Sequence, residues 1–338
     1  EGIAEFRNGD VYRGEFVEGR MHGKGHYKWR RRTGTYTGDF RYNRRHGHGR
    51  RVFVSGSVYD GEYVNNVMHG EGVFRMANGD VYIGSFRADL PHGNGTLQLA
   101  MGDRYVGQFQ RGVFCGRGRY EYSDGGYYDG DYFAVQTLKR HSVVFPKYDG
   151  KRHGKGVRVW STGNRYEGEW DDDEMKGFGV LTGVWGGVYQ VYEGEVEGNR
   201  RHGKGVALYG NKDRIKFTCV QGRHHDGRNT CKYDGQWENN VYHGEGVFTC
   251  ADGRRYEGTW RHGKRHGHGR QLLMGDLERG NAERMYRGGL DALYRAYVYD
   301  GEWRHDKREG RGVFECENGD KYTGLFVAGG PPRPGRPW

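Results

Sequence analysis

The chain has 338 residues, including 63 glycines and 26 tyrosines, with 34% hydrophobic residues and a formal net charge of +10. Disordered chains are poor in aromatic residues, and no apolar run here approaches the length of a transmembrane helix, so both classes are excluded. The mixed charges permit an acidic partner without specifying one. Glycine combined with aromatic residues instead predicts tight turns between strands that carry rings.

A unit of the form Tyr-x-Gly-x-aromatic recurs along the chain, first at Tyr12-Gly14-Phe16. Its leading tyrosines are Tyr12, Tyr36, Tyr59, Tyr82, Tyr105, Tyr128, Tyr166, Tyr192, Tyr233, Tyr256, Tyr299 and Tyr322. Several neighbouring copies are spaced by 23 residues. A fixed spacing of this size is typical of a repeat architecture.

A second unit, His-Gly-x-Gly, follows each first unit except the last. Its histidines are His22, His46, His69, His92, His153, His202, His243 and His266, and Cys115, Lys176 and Glu309 replace histidine in the other copies. Pairs such as Asn8-Gly9 and Asp252-Gly253 then close the repeat. Such pairs predict two-residue hairpin turns.

The two-residue period of a strand places Tyr59 and Gly61 on one face and Asp60 on the other. Because glycine within a strand often marks close packing, we expect each ring to lie over glycine backbone while the charged face meets water. The predicted repeat-core residues are Tyr59, Gly61, Tyr82, Gly84, Tyr105, Gly107, Tyr233, Gly235, Trp237, Tyr256, Gly258 and Trp260. One hairpin is marginally stable, so stacked neighbours must supply the stability.

The predicted fold class is all-β, an elongated single twisted antiparallel sheet of tandem β-hairpin repeats. About 24 strands at ~4.8 Å spacing would extend on the order of 110 Å. The array is expected over residues 1–326, with insertions near 133–148, 210–232 and 272–297. A tail rich in glycine and proline follows at 327–338.

Insertions in a repeat array map to loops on one face, which is often the binding face. Neutral insertion is the alternative, because long surface loops cost little stability. On the first interpretation the predicted partner-binding residues are Phe133, Arg140, Phe145, Arg223, His224, Leu290, Tyr294 and Tyr297.

The sequence lacks the motifs of a phosphate-binding loop or a serine hydrolase, so we predict no enzyme activity, no catalytic residues and no cofactor. The histidines of the second unit lie a repeat apart, too far to share a metal. Cys219, His224, His225 and Cys231 fall within one insertion, but their spacing matches no standard zinc motif. No metal site is therefore predicted.

The five cysteines are an odd number, so no disulfide framework is predicted, and a reducing compartment fits best. Cys250 and Cys316 occupy the same position in their repeats. We interpret both as packing residues.

The pattern from Tyr233 through Trp237 and His243 to Asp252-Gly253 resembles the MORN repeat, named for membrane occupation and recognition nexus. About twelve copies cover nearly all of residues 1–326. The resemblance implies a non-enzymatic structural scaffold that binds other proteins of a large cytoskeletal complex. Similar arrays in radial-spoke proteins imply a cytoplasmic, microtubule-associated setting in the axoneme of a cilium or flagellum.

Two other functions stay open on the same resemblance. The family name implies phosphoinositide or anionic-membrane binding, which the net charge of +10 permits as a weak association. MORN segments also precede lipid-kinase and lysine-methyltransferase domains, so the chain could be the targeting segment of a larger protein. Open strand edges leave a homodimer open as well, and no nucleic-acid partner is expected.

Overall fold

The computed structural model describes residues 1–30, 34–134, 150–210, 230–274, 296–317, 319–327 and 329. Over these residues the regular structure consists of β-strands, with no helix. The strands form one open antiparallel sheet of 24 strands. The prediction of an all-β fold built from tandem antiparallel hairpins is confirmed.

The strands are numbered in chain order. They are β1 (Gly2–Glu5), β2 (Val11–Val17), β3 (Arg20–Lys28), β4 (Thr35–Arg41), β5 (Arg44–Val52), β6 (Val58–Val64), β7 (Val67–Arg75), β8 (Val81–Arg87), β9 (Leu90–Gln98), β10 (Arg104–Gln110), β11 (Val113–Glu121), β12 (Tyr127–Ala134), β13 (Gly150–Val159), β14 (Arg165–Asp171), β15 (Glu174–Trp185), β16 (Val188–Glu197), β17 (Arg200–Gly210), β18 (Cys231–Glu238), β19 (Val241–Cys250), β20 (Arg255–Arg261), β21 (Lys264–Met274), β22 (Ala296–Arg304), β23 (Lys307–Cys316) and β24 (Lys321–Phe326).

The chain divides into two compact units. The first contains Glu1–Gly163 and Trp170–Asp173, and the second contains Asn164–Glu169 and Glu174–Trp338. Within each unit, strands that follow one another in the chain pair with each other, as β6 pairs with β7 and β18 with β19. Strands resume at Gly150, Cys231 and Ala296 after the three predicted insertions.

Glycines face one another across the strands of each unit and form a ladder. Gly61 of β6 lies opposite Gly49 of β5 and Gly72 of β7. A Cβ atom added to Gly61 or Gly72 would lie 2.6 Å from the Tyr59 side chain. Because no real Cβ tolerates that distance, the tyrosine ring requires glycine at both positions.

In hairpins such as β6–β7, a β-bulge lies beside the bond made by the buried tyrosine hydroxyl. The register of β6 against β7 shifts between Gly61 and Tyr63, and Gly70 adopts a φ of 56°. The Tyr59 hydroxyl then donates to the carbonyl of Glu62 at 2.9 Å, and the Glu62 carboxylate accepts the N–H of Glu71 at 3.1 Å. Many outward carboxylates therefore serve the backbone of their own repeat.

The leading tyrosines stack edge-on between aromatic rings of their own and the following repeat. The Tyr59 ring lies 5.2 Å from Tyr63 and 5.0 Å from Phe86, at interplanar angles of 90° and 80°. Edge-to-face pairs at these distances are favourable beyond the area that they bury. The leading tyrosines that are almost completely buried are Tyr12, Tyr36, Tyr59, Tyr82, Tyr105, Tyr128, Tyr166, Tyr192, Tyr233 and Tyr299.

The hairpins have two kinds of connection, and the predicted assignment of turns needs correction. The two-residue turns fall at pairs such as Asn65-Asn66, whose φ angles of 50° and 75° fit a type I′ turn. The Asn78-Gly79 connection is longer, because the N–H of Gly79 bonds to the carbonyl of Met76 at 3.0 Å. Gly79, with a φ of 94°, ends a four-residue turn there.

Many two-residue turns also bind the hairpin before them. The N–H of Asn66 donates to the carbonyl of Arg45 at 2.9 Å, and the Asn66 side-chain oxygen accepts the Arg45 N–H at 2.9 Å. The same reciprocal pair joins Asn240 to Arg201. These bonds fix the spacing between successive hairpins.

Cys231 and Cys250 lie opposite each other on β18 and β19 and form a disulfide. The prediction that the cysteines form no disulfide is wrong for this pair. Their separation of 19 residues gives no hint of the pairing, because the register of the hairpin brings them together. The cysteine count therefore no longer supports a reducing compartment.

Candidate interaction surface

The candidate site is the outer face of the sheet, which bears the side chains that alternate with the ring-and-glycine layer. In the first unit one row of this face runs through Asp60, Val73, Ile83, Thr96 and Val106 on neighbouring strands. The leading tyrosines of the ring layer are almost completely buried, so we take the outer face as the candidate surface.

Ion pairs across neighbouring strands occupy part of the outer face. The ammonium of Lys24 lies 2.5 Å from the Asp39 carboxylate, and His48 lies 3.0 Å from Asp60. Burial tends to raise the pKa of Asp39, but bonds from Lys24 and the His48 N–H lower it overall. Exposed pairs of this kind contribute at most about 1 kcal/mol each, so they organise the surface more than they stabilise it.

The outer face of β7 to β10 carries an uncharged patch made of Val73, Ile83, Thr96 and Val106. Ile83 is 51% exposed and Val106 is 37% exposed. Asp60 borders the row on one side. Apolar side chains held in this regular row provide a surface that a protein could cover.

An acidic trough lies on the outer face of the second unit. Phe178, Glu193, Lys204, Val206, Asp234 and Glu245 line it. Three of these six side chains are carboxylates and one is a lysine. Valines alternate with the carboxylates along the row Val180, Glu193, Val206, Asp234, Val247 and Glu257.

The groups in the acidic trough differ in their exposure and partners. The ring of Phe178 is 52% exposed. Partial burial raises the pKa of Glu193, whereas Asp234 accepts a bond from Lys232 at 2.8 Å. The trough therefore combines an exposed ring, valines and negative charge, which suits a ligand that is both basic and apolar.

A basic trough lies on the outer face near the start of the first unit. Arg13, Lys24, His26, His48 and Arg50 contribute to its lining. Asp60 and Glu1 also line it, so its charge is partly compensated. The two troughs present opposite charge in different units of the chain.

The predicted partner-binding residues have different locations. The side chain of Phe133 is 61% exposed at the end of β12, with its ring 5.6 Å from that of His153. Tyr297 is 3% exposed, stacks on Phe314 and accepts a bond from Arg308, so its ring belongs to the packed layer. The others lie outside the described residues; they are Arg140, Phe145, Arg223, His224, Leu290 and Tyr294.

The predicted repeat-core residues lie in the ring-and-glycine layer. Tyr233 and Tyr256 are at most 3% exposed, and the rings of Trp237 and Trp260 pack beside them. The acidic trough was not among the predicted sites. The carboxylates and valines of the trough are visible in the sequence between the repeat-core positions. Which of them become neighbours depends on the register of each hairpin against the next, which the sequence pattern does not give.

In the described part of the chain, no helix is long and apolar enough to cross a membrane. A solved structure, the TCP10 domain of Danio rerio CPAP in complex with a peptide of Danio rerio STIL, aligns with 83% of this chain and 95% of that chain. The identity is 8% and the TM-score 0.33, a likeness too low to carry an argument.

A curated relative, MORN repeat-containing protein 3 of Xenopus laevis, is 35% identical over 86 residues, or 22% of this chain. The aligned region spans 36% of that relative's length. The MORN repeat family matches at residues 12–32, 36–58, 59–81, 82–104, 105–127, 148–165, 166–188, 192–214, 233–254, 256–272 and 299–321. Since these segments make up more than half of the sequence, the chain belongs to the MORN repeat family, whose repeats suggest a protein- or membrane-binding scaffold.

Proposed function

We propose that the chain is a non-enzymatic scaffold that binds other proteins along its outer face, within a cytoskeletal assembly of the cilium or axoneme. The acidic trough is the observation that carries this proposal. Glu193, Asp234 and Glu245 repel anionic lipid and attract a basic protein segment. Val206 and Phe178 supply apolar contact beside these charges.

The architecture supports the same function. The ring layer is used to hold the repeats together, as the burial of Tyr192 and Tyr233 illustrates. Binding can therefore vary on the outer face without disturbing the packing. The ciliary setting is proposed because the repeat pattern resembles that of radial-spoke proteins.

The test is a triple variant, Glu193→Gln, Asp234→Asn and Glu245→Gln, expressed with a tag in ciliated cells. Wild-type chain is expected to remain with the axoneme after detergent extraction and to label basic neighbours by proximity biotinylation. The triple variant should lose those neighbours, because the attracting charge is gone while the ring layer is unchanged.

A matched control neutralises the basic trough through Lys24→Gln, His48→Gln and Arg50→Gln. This control should keep the neighbours of the wild-type chain. Identical neighbours for wild type and the acidic-trough variant would contradict binding through that trough. Complete release of wild-type chain by detergent would contradict the axonemal setting.

Anionic-membrane binding is the second candidate, and the basic trough favours it. Arg13, Lys24 and Arg50 could together meet a phosphoinositide headgroup. Flotation with vesicles of phosphatidylcholine, with and without phosphatidylinositol 4,5-bisphosphate, tests it. Binding should need the anionic lipid, weaken as salt rises and disappear in the basic-trough variant. Absence of flotation at physiological salt would exclude this candidate.

A further inference from the structure

Three side chains with metal-binding atoms converge at the turn end of two neighbouring hairpins. Glu238 ends β18, His243 lies in β19, and His262 follows the end of β20. One ligand atom from each residue lies within 4.8 Å of the others. His262 lies outside the His-Gly-x-Gly positions, so the repeat spacing that separates those histidines does not apply to it.

The backbone explains this convergence. The turn at Asn239-Asn240, with φ angles of 50° and 72°, folds β19 back on β18 and brings His243 near Glu238. The N–H of Gly263 donates to the carbonyl of Tyr242 at 2.9 Å, which holds the next turn beside them. His262 is therefore placed by the main chain of its own turn, with a φ of 50°.

The Nδ1 atom of His243 faces the carboxylate of Glu238. Its Nδ1 atom is buried and has no hydrogen-bond partner at a suitable angle. The Glu238 carboxylate oxygen lies 2.9 Å from that nitrogen. Zinc binds nitrogen and oxygen at about 2.0–2.2 Å with tetrahedral geometry, so two ligand atoms of one ion lie about 3.4 Å apart. The two atoms would need to separate by only about 0.5 Å to bind one ion.

His262 completes the arrangement with little movement. Its ring centre lies 5.6 Å from that of His243. The side chain is exposed, so its torsion angles can adjust to bring a nitrogen closer. Rings lie next to the site, since Tyr242 packs 4.9 Å from Trp237.

We propose that Glu238, His243 and His262 form a binding site for a divalent transition-metal ion, with zinc as the expected ion. Two imidazoles and one carboxylate suit zinc, and they leave a fourth position for water or for a donor atom of another molecule. Within the described ranges, no other group of three such side chains comes together in this way.

The following hairpin provides a natural control. His266 and His305 occupy the positions of His243 and His262, with ring centres 5.5 Å apart. Arg261 stands where the first site has Glu238. Burial together with Arg261, His305 and Arg304 lowers the pKa of His266. This pair therefore has two imidazoles without a carboxylate, among cations that repel a metal ion.

The first test measures zinc binding to the full chain after removal of metal with a chelator. Wild-type chain, His262→Asn and Glu238→Gln are compared by equilibrium dialysis against zinc chloride. Each variant should bind at the site at least about 10-fold more weakly, since even supporting residues of metal sites cost 10–100-fold. Asparagine tolerates the positive φ of His262, so the fold should be retained.

His266→Ala should bind as the wild-type chain does, because the neighbouring pair is not part of the site. The variant Arg261→Glu should gain about one further equivalent of zinc, since it supplies the missing carboxylate. Cobalt absorption gives an independent readout, with ligand-field bands in wild type that disappear in Glu238→Gln. Equal zinc binding by wild type and His262→Asn would overturn the proposal.

Discussion

The repeats of β6 to β11 and those of β18 to β23 share one backbone design but join their neighbours differently. In the first region the second aromatic is phenylalanine or tyrosine, as in the edge-on pair of Tyr82 and Phe109 at 5.0 Å. In the second region it is tryptophan, as in the pair of Tyr256 and Trp303 at 5.4 Å. The edge-on arrangement of the rings is the same in both regions, whereas the second aromatic residue differs.

Tryptophan adds polar bonds between repeats. The indole N–H of Trp303 donates to the carbonyl of Gly269 at 2.9 Å. The guanidinium of Arg265 lies 4.2 Å from the same ring and donates to the Asp306 carboxylate at 3.1 Å. In the repeat that precedes Phe109, Pro91 occupies the position equivalent to Arg265. The Tyr82–Phe109 junction thus relies on apolar packing, whereas the Tyr256–Trp303 junction adds a hydrogen bond and a cation over the ring.

The largest effect is expected from raising the pH until the buried tyrosines ionise. This tests whether the two regions unfold over the same pH range. Burial raises the pKa of Tyr63, in the first region, and of Tyr299, in the second, to about 12. A folded pKa above the unfolded value of about 10 means that stability is intact below pH 10 and is lost as pH rises toward 12. Tyrosinate absorbance and circular dichroism should therefore change together above pH 10. Ionisation of all the tyrosines near pH 10 with the fold intact would contradict this.

Truncation of the second aromatic should follow in size. Phe86→Ala and Trp260→Ala are each expected to cost about 3–5 kcal/mol of unfolding free energy, because both remove a buried ring. Hydrogen exchange with mass spectrometry should show faster opening in the altered repeat and its neighbours. The exposed Val106→Ala is the control and should change little. A small effect of either ring truncation would show that its repeat does not depend on the stacking.

Filling the glycine ladder should affect both regions alike. Gly72→Ala and Gly246→Ala place a methyl group within 2.6 Å of Tyr59 and 2.3 Å of Tyr233 atoms, respectively. Overpacking of this kind costs about 1–3 kcal/mol, measurable by urea unfolding. Arg75→Ala, which alters an exposed side chain, serves as the control. Unchanged stability in one region would mean that its rings can move aside.

The smallest effect isolates the hydrogen bond that distinguishes the two regions. Trp303→Phe keeps a ring but removes the donor to Gly269, and it should cost about 1 kcal/mol beyond the smaller ring. The comparison variant is Phe109→Leu. It reduces the volume of a buried apolar side chain, and no side-chain hydrogen bond is lost. Hydrogen exchange of β21 and β22 should rise in the first variant alone. No change there would assign the difference between the regions to ring size.

The sequence predicted the phase of the repeat and its two faces, because the period of a strand and the clash between a ring and Cβ are local. It did not predict the bulge at Gly70, whose φ of 56° directs the Glu62 carboxylate toward the backbone. Nor did it reveal the pair Cys231 and Cys250, which depends on hairpin register.

The candidate surface was harder to predict for the same reason. Val206 and Asp234 are neighbours in the acidic trough because β17 pairs with β18, although many residues separate them in the chain. The separation depends on the insertion, so no fixed repeat spacing connects them. Local patterns identify a face, whereas register decides which charges meet on it.

The reciprocal bonds between Asn66 and Arg45 link the β6–β7 hairpin to the one before it, and Asn240 and Arg201 form the same junction further along. Cohesion therefore depends on short-range junctions instead of a shared interior. A cassette of 23 residues, the spacing from Tyr59 to Tyr82, carries both halves of such a junction. Duplication or loss of one cassette would add or remove one repeat while every remaining junction keeps its geometry. Arrays of this kind can therefore change in length by whole repeats.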